Sequence, residues 1–288
     1  MDLKSISSVQ KNILERYKKY WRKLPWRQTY PAKDGAMDPY AIHISEVMLQ
    51  QTQVDRVIPY FLQWMKDFPD YASLAKASKT DLLKHRSGLG FNSRAIRLRE
   101  CAKLVASSKL KVKSIPSPLT PLLQRGESLA QVRNELMKLP GIGPYTSAAI
   151  MAFAWNKDVP VVDTNIRRVL IFLFKLDEKI TPAELEHFAE KTIPKGKSRE
   201  RHNALMDYGA LELTARKTKI KPLSKQSKFE GSDRQVRGRI MKELVKRWTV
   251  HGKRVEEEFP HKNVKNIVEW MAKEKLIVMQ KWVVLIAE

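Results

Sequence analysis

Apolar residues recur along most of this chain every three or four positions, the period of a helix with one buried face. Over residues 5–22 the stripe is Ile6, Val9, Ile13, Leu14, Tyr17 and Trp21. The stretch Tyr40–Leu49 is apolar nearly throughout. Gln50-Gln51-Thr52 then separates it from an amphipathic run with Val54, Val57, Ile58, Phe61 and Leu62. Thr52 is expected to cap that second helix. Helices are also predicted at 80–87 and 93–108, the latter burying Ile96, Leu98, Ala102 and Val105. Residues 129–139, the apolar YTSAAIMAFAW, and the segments 163–176, 182–193 and 199–213 follow. Pro and Gly punctuate 25–39, and residues 109–127, rich in Pro, Ser and Gly, read as an exposed loop. Residues 1–222 are expected to form an all-α domain.

The pattern changes after Thr214. Between Ala215 and Arg247 there are 12 Lys/Arg against three acids. This basic linker runs into a helix, RQVRGRIMKELVKRW, and then into a helix at 261–274 and a hairpin in LIVMQKWVVLIA. Helix, helix and a two-stranded wing is the order of a winged-helix module. A helical extension packed on the main domain fits the same residues, and both readings stand at this point. The expected boundary lies between 222 and 223, with residues 223–288 as linker and C-terminal module.

Charge narrows the function. The 288 residues carry 54 Lys+Arg and 31 Asp+Glu, a formal net charge of +23. Such an excess favours phosphate backbones through counterion release; a solubilising surface or a ribosome-associated role is the plainer alternative. Seven Trp and nine Phe argue against a disordered basic tail. The single Cys101 rules out a disulfide framework, a Cys-ligated zinc site and a four-Cys iron–sulfur cluster. The N-terminus has no apolar signal core, and WVVLIA is too short to span a bilayer. A cytoplasmic, nucleoid-associated protein with no membrane partner is expected.

Three places carry candidate chemistry. In Leu139-Pro140-Gly141-Ile142-Gly143 two glycines flank one apolar residue before a helix, so the backbone can approach a partner and the helix N-terminus can face a phosphate. An ordinary αα-corner would look the same. Glu46 lies among Ile44, Val47, Met48 and Leu49. It is either at a polar boundary or desolvated, and desolvation would make it an acid near neutral pH. Asp163 ends the apolar run Val159–Val162 and opens IRRVLIFLF as a helix N-cap or as an ionised carboxylate facing a cleft.

Taken together, LPWR (24–27), DPYAIHISEVMLQQTQVDRVIPYF (38–61), GLGFNSRA (88–95), LPGIGPYTSAAI (139–150), VVDTNIRRVL (161–170) and ALMDYGALELT (204–214) resemble one family. These stretches are similar to the helix-hairpin-helix (HhH-GPD) DNA glycosylases of the endonuclease III superfamily, most of all the MutY-type adenine glycosylases. The resemblance spans roughly residues 1–222 and implies a two-lobed, all-α glycosylase core with a small winged-helix-like extension. It implies that Glu46 protonates a purine at N7 and that Asp163 stabilises the sugar cation, with Asn165 in the same site. Tyr145 falls where bifunctional relatives keep a nucleophilic lysine, which implies a monofunctional enzyme. Gln51, with Thr52 beside it, matches the wedge that enters the duplex. Leu89, Arg94, Gly141 and Gly143 match DNA-contacting positions.

The chain also departs from that family. The four cluster-ligand slots fall at Leu213, Ile220, Leu223 and Phe229, expected instead to form a small hydrophobic cluster. No iron–sulfur cofactor and no metal ligands are expected; a structural monovalent cation at the hairpin is the one ion the resemblance leaves room for. Residues 223–288 are too few for the usual Nudix-like domain that reads 8-oxoguanine, and GLGFN replaces the commoner GLGYY. The implied function is base excision repair: removal of adenine opposite 8-oxoguanine or guanine by a monomer acting on mismatched or damaged double-stranded DNA. A thymine or uracil mismatch glycosylase of the same fold is the alternative, and a catalytically silent DNA-binding protein the more distant one.

Overall fold

The computed structural model describes residues 3–28, 37–85, 92–107, 128–223, 228–280 and 282–287. The expected loop at 109–127 and Leu89 lie outside them. Two compact units form, one from residues 1–47 and 110–225, the other from 48–109 and 226–288.

The first unit contains α1 (Leu3–Tyr20), the single turn α2 (Pro25–Gln28) and the start of α3 (Pro39–Leu49). It continues with α8 (Leu129–Met137), α9 (Pro144–Ala149) with a π-helical turn at Ile150–Ala154, and α10 (Thr164–Phe174). α11 (Pro182–Lys191), α12 (Ser198–Leu211) and α13 (Ala215–Thr218) complete it. The α1 stripe lands as expected. Ile6, Val9, Ile13, Leu14 and Tyr17 pack with Ile166, Val169, Leu170, Leu185 and Leu205. Trp21 does not join them: it lies past the end of α1 and is exposed. Asp207 ties the start of the chain down. It accepts from the Arg22 backbone N–H and Nε at 2.9 and 2.6 Å and from Arg27 Nη1 at 2.8 Å. A buried carboxylate with two cations is a hydrogen-bonded anchor for the LPWR segment.

The second unit holds α4 (Val54–Asp67), α5 (Tyr71–Lys76), α6 (Lys79–His85) and α7 (Asn92–Ser107). Val57, Phe61, Trp64 and Met65 form the buried face of α4, whereas Leu62 is exposed, so the stripe sits one step round from the one expected. Ile96, Leu98, Ala102 and Val105 are buried as predicted. After residue 226 come α14 (Asp233–Arg247), β1 (Thr249–His251), α15 (Gly252–Glu258), α16 (Val264–Lys273), β2 (Ile277–Gln280) and β3 (Val283–Ile286). The three strands are antiparallel in the order β1-β3-β2. This is the order of a winged helix, with β1 and α15 added between the two helices expected from the sequence. Trp282 seats the wing. Its carbonyl accepts from Gly252 N–H at 2.9 Å, and a Cβ on residue 252 would stand 2.3 Å from its indole ring.

The C-terminal module shares its core with the earlier helices. Leu83 and Ile96 pack in one cluster with Val236, Ile240, Leu244, Val268, Met271 and Val284. A division at 222/223 therefore describes the sequence, while in space residues 226–288 complete the fold of 48–109. Among the described residues no helix is long and apolar enough to cross a membrane.

A chain ending at residue 222 should lose amide hydrogen-exchange protection at residues 96–105, because Ile96 and Leu83 lose their apolar partners. Protection equal to that of the full chain would contradict the shared core.

Candidate active site

Glu46 sits on α3, whose other side chains are almost all buried. Its own side chain follows them inside, at 7% exposure. The desolvated reading therefore holds over the polar boundary. The hydroxyl of Tyr145 donates to Glu46 Oε2 at 2.8 Å. Burial is the largest influence and lifts the Glu46 carboxyl from 4.5 to about 7. The Tyr145 hydrogen bond opposes it, the charge of Asp163 adds to it, and Arg27 opposes it in turn. Loss of hydration outweighs one hydrogen bond and one distant cation, so the group titrates near neutrality. Burial together with the Glu46 and Asp163 charges pushes the Tyr145 phenol well above its usual range.

The hairpin places Tyr145. Ile142 N–H closes the turn on the Leu139 carbonyl at 3.1 Å, and Gly141 takes φ 84°, a left-handed value that glycine adopts without strain. Ile142 is buried beneath the turn. Gly143 is the N-cap of α9 and Pro144 its first residue, so Tyr145 stands on the first turn.

Asp163 is indeed an N-cap: Oδ1 accepts from Ile166 N–H at 2.6 Å. Burial raises its pKa, and the bonds from Ile166 and Asn165 and the charge of Arg168 pull it back down. Asn165 Nδ2 lies 3.4 Å from Oδ2, and Arg168 Nη2 donates to Asn165 Oδ1 at 2.8 Å. That orients the Asn165 amide with its NH₂ towards the carboxylate. Upstream, Val161 N–H donates to His202 Nε2 at 3.1 Å, while His202 Nδ1 meets the Ser198 carbonyl at 2.7 Å. Burial and the adjacent Arg201 depress this imidazole to about 3, so it stays neutral and accepts through Nε2.

Glu46, Tyr145, Asp163 and Asn165 are thus brought together in one unit, with Gly141 and Gly143 in the hairpin beside Tyr145. Gln51, Thr52 and Arg94 belong to the other unit. Thr52 is not the cap of α4; that position is Gln53, with no side-chain cap bond. Thr52 N–H instead closes a turn on the Leu49 carbonyl at 3.2 Å. Within it Gln51 takes φ 62°, a conformation costing a non-glycine residue about 1–2 kcal/mol. Arg94 Nη1 donates to the Gln50 carbonyl at 2.9 Å. Burial, and secondarily Arg97, brings its guanidinium down to about 10, still charged at neutral pH. Sequence reading assigned no role to Arg27, Arg168 or His202. LPWR and VVDTNIRRVL contain the two arginines, whereas nothing local marks His202.

A family model described as HhH-GPD superfamily base excision DNA repair protein matches residues 44–195. The chain belongs to this superfamily. An adenine DNA glycosylase of Mycolicibacterium smegmatis is 34% identical over 257 residues, covering 82% of this chain and 80% of that protein. The adenine DNA glycosylase of Mus musculus is 32% identical, covering 83% of this chain and 44% of that protein. Among solved structures, a thermostable thymine-DNA glycosylase is similar with TM-score 0.58 and 27% identity, over 74% of this chain and 90% of that one. An endonuclease III–DNA covalent intermediate shares the fold, with TM-score 0.57 at 17% identity, over 77% and 91% of the two chains.

The HhH-GPD slots for an iron–sulfur cluster do not fit one here, because Leu213, Ile220, Leu223 and Phe229 offer no donor atoms. Nor do they form the expected hydrophobic cluster. Leu213 and Ile220 are buried, but Leu223 and Phe229 are 67% and 60% exposed. Guanidinium–carbonyl bonds hold this segment instead. Arg168 donates to the carbonyls of Leu213 and Gly209 at 2.7 and 2.9 Å, and Arg167 to that of Lys221 at 3.1 Å. Among the described residues no group of three or more His, Cys, Asp or Glu is placed to hold a metal ion.

The Glu46 shift has a stability consequence. Because its folded pKa lies above the unfolded value, the folded state keeps the proton longer and stability falls as pH rises from about 4.5 to about 7. Glu46→Gln should therefore gain on the parent across that window, by up to about 3 kcal/mol in urea unfolding, and level off above it. A gap that does not change with pH would contradict the desolvated carboxyl.

Proposed function

We propose that this chain is a monofunctional DNA glycosylase that hydrolyses the N-glycosidic bond of adenine mispaired with 8-oxoguanine or guanine. The observation that carries the proposal is the buried Glu46–Tyr145 pair beside Asp163. The names of the relatives at 30% identity or above support the choice of adenine.

A base in a duplex cannot be reached, so the nucleotide is extruded at a cost of about a few kcal/mol. The net charge of +23 supplies the general attraction to phosphates, and the Gly141–Gly143 hairpin a close-approach backbone. Gln51 enters the stack in place of the lost base. Tyr145 occupies Oε2 of Glu46, leaving Oε1 to carry the proton. A carboxyl titrating near 7 keeps that proton in about half of the molecules at neutral pH, and the protonated form gives it to purine N7 as the C1′–N9 bond breaks. The base leaves neutral, and the positive charge that develops on the sugar faces Asp163. Water adds to C1′ and surrenders its proton to a carboxylate, which closes the balance. This is the two-carboxyl logic of glycoside hydrolysis. Tyr145 has no amine to form a Schiff base, so the strand stays intact. The 27% identical thymine-DNA glycosylase favours thymine or uracil opposite guanine as the second reading.

Single-turnover base release from duplexes with adenine opposite 8-oxoguanine, guanine, cytosine or thymine, and with thymine or uracil opposite guanine, tests both. The expected result is adenine release, fastest opposite 8-oxoguanine or guanine, with strand breaks only after alkali. Glu46→Gln and Asp163→Asn should each lower it about 10²–10⁴-fold. Release of thymine or uracil alone would overturn the substrate; release unaffected by both variants would overturn the mechanism.

A further inference from the structure

Gln51 holds a left-handed conformation that suits glycine or asparagine better than glutamine. Its surroundings show what keeps it there. Thr52 N–H and the Leu49 carbonyl close the turn around it, and Arg94 grips the Gln50 carbonyl from 44 residues away. That carbonyl belongs to the peptide unit whose nitrogen is Gln51's own. A peptide unit is planar, so a hydrogen bond that fixes its plane also restricts rotation about the N–Cα bond of Gln51. Arg94 is on the first turn of α7, followed by the buried side chains of Ala95, Ile96 and Leu98. The guanidinium is therefore carried by a rigid element, and one of its donors is committed to protein backbone.

We propose that Arg94 is a positioning residue for Gln51: it pins the 50–51 peptide plane so that the side chain at 51 is presented to an incoming duplex, and it is not a phosphate contact. The inference rests on the reading of Gln51 as the residue that enters the duplex. It replaces the DNA-contact role that the sequence resemblance implied for Arg94. Because asparagine tolerates the left-handed region, Gln51→Asn should need the brace less than the parent does.

The test uses the full-length chain with Arg94→Met, Arg94→Lys, Gln51→Asn, Gln51→Ala and the Arg94→Met/Gln51→Asn double variant. Three quantities are read: fluorescence of 2-aminopurine beside the target base, single-turnover base release at saturating enzyme, and the salt dependence of affinity for undamaged duplex. Arg94→Met should reduce extrusion and base release about tenfold or more, since small misplacements of a positioning group are costly. Its salt slope should match the parent's, and Gln51→Asn should restore most of the loss. A slope smaller by about one, with no rescue by Gln51→Asn, identifies a phosphate contact and overturns the proposal. Gln51→Ala extruding the base as well as the parent would show instead that the wedge reading has failed, and the proposal with it. Should Arg94→Met unfold, shown by its thermal midpoint, Arg94→Lys with and without Gln51→Asn gives the same contrast.

Discussion

A carboxyl group kept from water and hydrogen-bonded by a phenol is the constraint on which the site depends. Burying Glu46 opposes its ionisation, and a single bond from Tyr145 does not offset the lost hydration. Asp163 shifts the balance further the same way, while Arg27 limits it. Every neighbouring element answers to this arrangement. The hairpin must turn at Gly141 so that Tyr145 stands on the first turn of α9, and the LPWR segment must be anchored on Asp207 so that Arg27 stays in range.

The partner carboxylate and the run that leads into it are held by neutral and cationic side chains. His202 takes the Val161 N–H, Asn165 faces the Asp163 carboxylate, and Arg168 fixes Asn165 while also bonding two carbonyls of the 209–213 segment. The cluster-ligand slots that the sequence resemblance implies hold aliphatic and aromatic side chains here, which no common centre draws together. Leu213 is buried in the core formed by α10, α11 and α12, and Leu223 and Phe229 turn to solvent. The carbonyl-directed arginines give this part of the chain directional restraint.

Much of this was legible in the sequence because helical periodicity reports burial over several turns: α1 and α7 read correctly from their stripes, and α3 from a nearly continuous apolar run. Trp21 and Leu62 failed where one turn of pattern had to decide between faces. β1 and α15 carry no apolar pattern to read: β1 is three residues with only Val250 buried, and α15 buries a single side chain, Val255. The burial of Glu46 was not readable from its neighbours, since its partner Tyr145 is 99 positions away. Thr52 looked like a cap because it has the right side chain, but the backbone closes on Leu49 and the cap falls one residue later. His202 left no trace at all: its role depends on a backbone N–H that only the fold brings to it.

The protonation state of Glu46 is the most direct test of the account. Infrared difference spectra of the parent minus Glu46→Gln, recorded from pH 5 to pH 9, isolate the carboxyl stretch of this residue. A protonated-carboxyl band that fades with a midpoint near 7 is the predicted result, following the burial-raised pKa of about 7. A group already ionised at pH 5 would contradict the account, because an ordinary carboxylate there has no proton to give to a leaving base.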